Sequence, residues 1–405
     1  ALRQLKIKID IVTGTSVGAL NGSLMVQGDF RKAKKLWEHM NFEFVFDKEI
    51  LKQYNHCQTT LDMIHMFSNS FRTGGMEIKN LELLVKRYFR PNKFFSSKTD
   101  FGISTYNFSD LKPLKITKKE MPKKLVTDYI IASSSCFPAF QMKKIGKKKY
   151  IDGGVFDYLP INLALDMGAE EVIAVDLHAL GIKEKVRKTN VAITYIEPQN
   201  DIGGFLNFNA TNATRAMRYG YLDTLKTFHA LDGKKYSFRL HLLSRCVKKY
   251  YASMEEQIKK IFDFREDRNT LGEAFWQFAY KRLNSLRKNN KEEAIEDILE
   301  YLASTFALSD QKIYSFSSFH RALWKEFKKT KSLSDAHVKE LRKERKLINL
   351  FHRRNLIKYF YEQLEEENRN PGQNPTFYRS FIFFPKESLC AIYLYTFKRK
   401  AWWIW

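Results

Sequence analysis

Apolar positions in the first part of the chain alternate between a period of two and a period of about 3.6, and each change of period marks an element. Residues 10–13 form a short β-branched run that reads as a strand. Residues 16–27 then read as a helix closed by Gly28. Helical spacing returns over 30–40 and over 76–88, where Ile78, Leu81, Leu84 and Val85 share one face. Strands are predicted over 101–106 and 114–117. A hairpin follows over 140–152, turning at Gly146. A helix over 162–167 stops at Gly168. The run Glu-Val-Ile-Ala-Val-Asp-Leu at 171–177 reads as a strand buried on both faces, as in a parallel sheet covered by helices.

After about residue 240 only the helical period remains. A capping box at Ser253 to Glu256 predicts a helix start. Further amphipathic helices are predicted over 271–286, 292–306, 319–328 and 336–366. Residues 368–375 read as a turn or linker, and the tail over 377–405 is strongly aromatic. The chain therefore divides into an α/β region over 1–240 and an all-helical domain over 241–405.

Composition narrows the class. With 405 residues and an apolar fraction of 44%, there is material for two or three packed domains. No apolar run reaches the ~18 residues of a membrane span. Cys57, Cys136, Cys246 and Cys390 lie far apart, as expected of free thiols in a reducing compartment. A cytoplasmic protein, or one peripheral to the membrane, is expected. The formal charge of +24 makes an anionic membrane surface a candidate partner. No zinc-finger spacing or aromatic RNA-binding signature supports nucleic acid. No metal-ligand motif or dinucleotide fingerprint appears either, so neither metal nor cofactor is expected.

The chemistry begins at Gly14-Thr15-Ser16-Val17-Gly18, a Gly-x-Ser-x-Gly placed between a predicted strand and a predicted helix. That context makes Ser16 a candidate nucleophile on a tight elbow, with small residues at 14 and 18 to avoid collision across the turn. The helix beyond aims its free N–H groups at the same point. A second motif, Asp152-Gly153-Gly154, ends the predicted hairpin. Alone it signals a turn.

Together the two motifs resemble the patatin-like phospholipases, in the bacterial form with a helical C-terminal extension. The resemblance spans about 1–238 and includes Gly74-Gly75-Met76, the Ala132-Ser133-Ser134 to Pro138 block, and 152–177. It implies a three-layer α/β fold with a mostly parallel central sheet. It also implies hydrolysis of phospholipid or other acyl-lipid esters by a Ser16–Asp152 dyad through an acyl-enzyme, with Val17 N–H as one oxyanion donor. The block over 132–140 would line the site, and the Met- and Phe-rich stretch over 40–71 suits an acyl-chain groove. Two departures stand out. Tyr158 occupies a place where the family commonly has Asn. The Gly-rich oxyanion loop that the family carries upstream of the elbow is expected to precede Ala1, in a sequence incomplete at its N-terminus.

Two rivals follow from the same residues. One is a Ser-His-Asp esterase of the α/β-hydrolase type, with His178 or His229 as base. The other is a non-catalytic, basic membrane-binding scaffold.

Overall fold

The computed structural model describes residues 1–53, 74–187, 190–204, 208–263, 291–344, 350–370, 377, 380 and 383–400. Outside these fall Cys57, most of the Met- and Phe-rich stretch, the helix predicted over 271–286, and the terminal tryptophans. Contacts divide the chain into two compact units, Ala1–Thr227 and Phe228–Trp405.

In the first unit the organising strand is β2 (Asp100–Asn107), whose interior residues are almost all buried. Its side chains alternate between two apolar environments. Phe101 and Ile103 pack with Ala19, Val26, Val126 and Ile130 from the helices Val17–Val26 and Val126–Ser133. On the other face Gly102 is overlain by Leu163 and Met167. A Cβ at Gly102 would sit 2.8 Å from Met167 Sδ. Helices thus cover both faces of this strand. Gly22 lets the first helix close down on the sheet, because a Cβ there would meet Phe101 at 2.9 Å and Val12 at 3.0 Å.

Strand pairing corrects the expectation of a mostly parallel sheet. β1 (Ile11–Thr15) runs parallel to β2. β3 (Lys112–Thr117) and β5 (Lys148–Asp152) pair with β2 antiparallel, and β4 (Lys143–Ile145) pairs antiparallel with β5. The sheet is mixed. A separate parallel pair joins β6 (Glu171–Val175) to β7 (Ala192–Ile196). β6 is not buried on both faces: Val172 and Ala174 are covered, while Val175 is 52% exposed. The strand buried on both faces is β2, whose apolar run is interrupted by Gly102 and Ser104.

The second unit is mostly helical. It also holds a small sheet of β8 (Leu231–Asp232), β9 (Ser237–Arg239) and β10 (Ile313–Tyr314), so the all-helical expectation is corrected. Ser253 opens no helix. It lies within a continuous helical run made of Leu242–Cys246, a π turn at Val247–Tyr251, and Ala252–Asp263. The capping box that does form is Ser315 with Ser318, at the start of Phe316–Lys329.

The core of this unit is aromatic and contains His320, 1% exposed. Its Nδ1 lies 2.6 Å from Phe316 O and its Nε2 2.6 Å from the Tyr393 hydroxyl. Since a carbonyl only accepts, Nδ1 carries the proton and Tyr393 donates to Nε2. Burial pushes the imidazole down to about 4. An unfolded histidine protonates near 6.5, so the native state should lose stability as pH falls from about 7 to 4. The loss should be on the order of 3 kcal/mol. Denaturant unfolding of the full chain and of His320→Leu across that range checks this: the parent should lose that much stability relative to the variant as pH falls.

Candidate active site

The register of β2 explains how two motifs far apart in sequence meet. β3 occupies one edge of β2 over Gly102 to Asn107, so β1 and β5 must share the other. β1 ascends to place Thr15 beside Ser104. β5 descends to place Asp152 beside Thr105. The two strands therefore run head to head and stop at adjacent residues of β2. Ser16 leaves one end and Asp152 closes the other.

Little room is left at that junction. A Cβ at Gly153 would stand 2.3 Å from Ser104 O and 2.9 Å from Thr15 Cγ2. One at Gly14 would stand 2.3 Å from Gly18 C. Both positions demand glycine. Gly18 does not, since a Cβ there meets no atom within 4 Å. The steric argument for a small residue after the serine thus applies to its partner across the turn, Gly14. Gly154 is intermediate, its Cβ falling 3.1 Å from Asp152 Oδ1.

Ser16 itself has φ 55° and ψ −123°, a conformation costing roughly 1–3 kcal/mol for a non-glycine residue. Two of three consecutive serines hold it in that conformation, and the third holds Asp152. Ser16 N–H donates to Ser133 Oγ at 3.0 Å, and Ser133 Oγ donates onward to Ser104 O at 2.7 Å. Ser134 Oγ donates to Ser16 O at 3.1 Å. The backbone carbonyl of Ser135 accepts from Asp152 N–H at 2.8 Å. The end of one helix thus fixes the backbone at both motifs. The sequence marked this block as lining the site. It did not show that each serine holds a different backbone group.

Asp152 is 7% exposed. Its Oδ1 accepts from Gly154 N–H at 2.8 Å, and the Ser16 hydroxyl lies close enough to act on the carboxylate. Burial pushes the carboxyl up to about 6, against the lowering effect of these two groups, and among the described residues no cation acts on it. Burial, with the Asp152 charge adding to it, pushes the neighbouring Cys136 thiol up to about 12. That cysteine stays protonated near neutral pH. Ala19 and Leu20 N–H donate to Ser16 O. The N–H groups of Val17 and Gly18, ahead of them in the first turn, have no intrahelical acceptor. No acidic side chain stands in that turn to compete for them.

The remaining candidates lie elsewhere. Tyr158 donates its N–H to Ile182 O, its hydroxyl is acted on by Asp176, and it is absent from the groups acting on Asp152. His178 is exposed, and its backbone N–H donates to Asp176 Oδ1 at 2.9 Å. Ligand atoms of Asp176, His178 and Glu197 lie within 4.8 Å of one another. Lys183 Nζ already holds Asp176 at 2.7 Å and supplies the positive charge there. His229 belongs to the second unit. Among the described residues no histidine acts on Asp152, and no helix is long and apolar enough to cross a membrane. Cys136, Cys246 and Cys390 are free thiols.

Residues 1–165 match the family model described as patatin-like phospholipase. The match takes in the elbow, the serine run and the Asp-Gly-Gly turn. The chain thus combines a patatin-like α/β domain with the mostly helical region that follows.

Two measurements test this geometry. Gly14→Ala should prevent correct closure of the elbow and lower stability by several kcal/mol, while Gly18→Ala should fold normally; urea unfolding of the pair compares them. For Asp152, a folded carboxyl near 6 against 3.8 unfolded means that folding favours the protonated form. The native state is relieved of that cost below about pH 4 and bears it in full above 6, at roughly 2–3 kcal/mol. Asp152→Asn should therefore be more stable than the parent at pH 8, with the gain shrinking to nothing near pH 4.

Proposed function

We propose that this protein is a lipid acyl hydrolase working through Ser16 and Asp152. The observation that carries the reading is a buried carboxylate on which the Ser16 hydroxyl acts and, among the described residues, no cation does. Such a carboxylate is a far better base near neutral pH than an exposed aspartate. The match over residues 1–165 supports an acyl-ester substrate.

In the first half-reaction Ser16 Oγ attacks the ester carbonyl carbon while its proton passes to Asp152. Negative charge moves onto the carbonyl oxygen, where Val17 N–H and the dipole of the following helix stabilise it. Collapse breaks the bond to the leaving alcohol, which takes the proton from Asp152. An acyl-Ser16 ester remains. In the second half-reaction Asp152 removes a proton from water as its oxygen attacks that ester. Fatty acid leaves, and the proton returns to Ser16. Asp152 serves both halves because it alternates between base and acid. A pKa near 6 suits both roles.

Ser16→Ala and Asp152→Asn should each reduce hydrolysis of a monomeric acyl ester to near background. The double variant should be little worse than either, since groups acting as one unit lose activity non-additively. kcat/KM should rise with pH through about 6 and level off above it, because only the deprotonated carboxylate accepts the proton. His178→Ala and His229→Ala should keep most of their turnover. Collapse of either histidine variant with folding intact would move the protein to the triad class, where losing the histidine costs several powers of ten.

A further inference from the structure

Two neighbouring turns at the Asn107 end of β2 carry a surface that the site chemistry does not use. One spans 108–112, between β2 and β3. The other spans 144–149, around the β4–β5 hairpin. They are joined directly: Phe108 N–H donates to Lys149 O at 2.9 Å, and Lys149 N–H donates to Ser109 Oγ at 2.9 Å. Five lysines lie on them (112, 144, 147, 148 and 149) against one carboxylate, Asp110, for a local excess of four positive charges. Lys148 pairs with Asp110 at 2.5 Å. Lys144, Lys147 and Lys149 are exposed, and none has an ion-pair partner among the described residues.

Two details show that stability did not choose this surface. Lys144 stands directly opposite Lys149 across the hairpin, where like charges destabilise a strand pair. Leu111 is 69% exposed at φ 52°, a place that neither packing nor backbone preference gives to leucine. Phe108, 39% exposed, stands beside it.

We propose that these two turns dock the protein on an anionic lipid surface, with Leu111 and Phe108 entering the headgroup boundary and the lysines held at its phosphates. The combination favours lipid over nucleic acid. An aliphatic side chain such as Leu111 stacks on no base, whereas a bilayer buries it and leaves lysine heads in the polar layer. The placement fits the site. β1 runs parallel to β2, so the elbow faces the end of the sheet that carries the turns. Asp152 lies four residues along β5 from Lys148, about 13 Å at strand rise. The Phe108 ring meets Phe137, within the block that holds the two motifs, at 6.2 Å. This inference rests on the reading of an acyl-lipid substrate for its purpose, but its test does not depend on catalysis.

The full chain carrying Ser16→Ala, which leaves lipid intact, should sediment with phosphatidylglycerol-containing vesicles and not with phosphatidylcholine alone. Added salt should release it. Lys144→Glu with Lys147→Glu and Lys149→Glu should weaken partition on the order of 100-fold, from roughly fivefold per lysine at an anionic surface. The same change at Lys331, Lys339 and Lys343, exposed in the helical unit, alters net charge equally and should matter far less. Lys144→Glu alone should weaken vesicle binding yet raise the thermal midpoint, by pairing with Lys149. A misfolded variant shows no such split. With Ser16 intact, the triple variant should turn over a monomeric ester normally, so loss of docking and loss of the catalytic reading are separate results. The proposal is overturned if the triple variant binds vesicles like its parent, or if the control triple loses as much. Tighter binding to single-stranded RNA than to anionic vesicles, lost in the same triple variant, also overturns it.

Discussion

Everything at the candidate site depends on two strands ending against each other on one edge of a third. Because β1 ascends and β5 descends along the same edge of β2, their last residues fall beside Ser104 and Thr105. A serine and a carboxylate separated by most of a domain's sequence are then neighbours without a loop needing to search for either. The arrangement has a steric consequence. Where two chain ends abut a third backbone, a Cβ at Gly153 would sit 2.3 Å from a carbonyl oxygen. The first glycine of Asp-Gly-Gly is there for the packing of the sheet, and the chemistry inherits it.

The same junction sets the electrostatics. A carboxylate at the end of a covered strand is buried, and among the described residues no lysine or arginine acts on it. The Gly154 N–H holds it and the Ser16 hydroxyl acts on it, and together they lower the pKa less than burial raises it. A salt bridge would have anchored Asp152 more firmly but left it a poor proton acceptor. The anchoring is delegated instead to the backbone, through Ser133, Ser134 and the carbonyl of Ser135. Rigid backbone and a basic, cation-free side chain are thereby reconciled.

Positive charge, kept away from that carboxylate, is partly concentrated at the turns beyond it. Five lysines between residues 112 and 149 fall on two adjacent turns because β2 brings the turns together. The helical unit uses its polar groups differently. Its buried histidine is satisfied by a carbonyl and a phenol, and serves a packed core.

The local geometry was legible in the sequence. Gly14 and Ser16 between a strand and a helix, and Asp152 at the end of a hairpin, follow from spacing and turn preference. Both properties are set by residues within a few positions. Pairing direction was not legible, because an apolar run carries no sign of which neighbour it will meet. That is why a mixed sheet replaced a mostly parallel one. β2 was legible as a strand over 101–106, but not its burial on both faces, because Gly102 and Ser104 break the apolar run and only Met167, Leu163 and Ser133 cover them. Ser133 and Ser134 were visible as small polar residues. Which backbone groups they would bond depended on helix 126–133 docking against the elbow. The basicity of Asp152 likewise belongs to the tertiary structure alone. The sequence supplies a carboxyl near 3.8, and only exclusion of water and of cations by the assembled strands brings it to about 6.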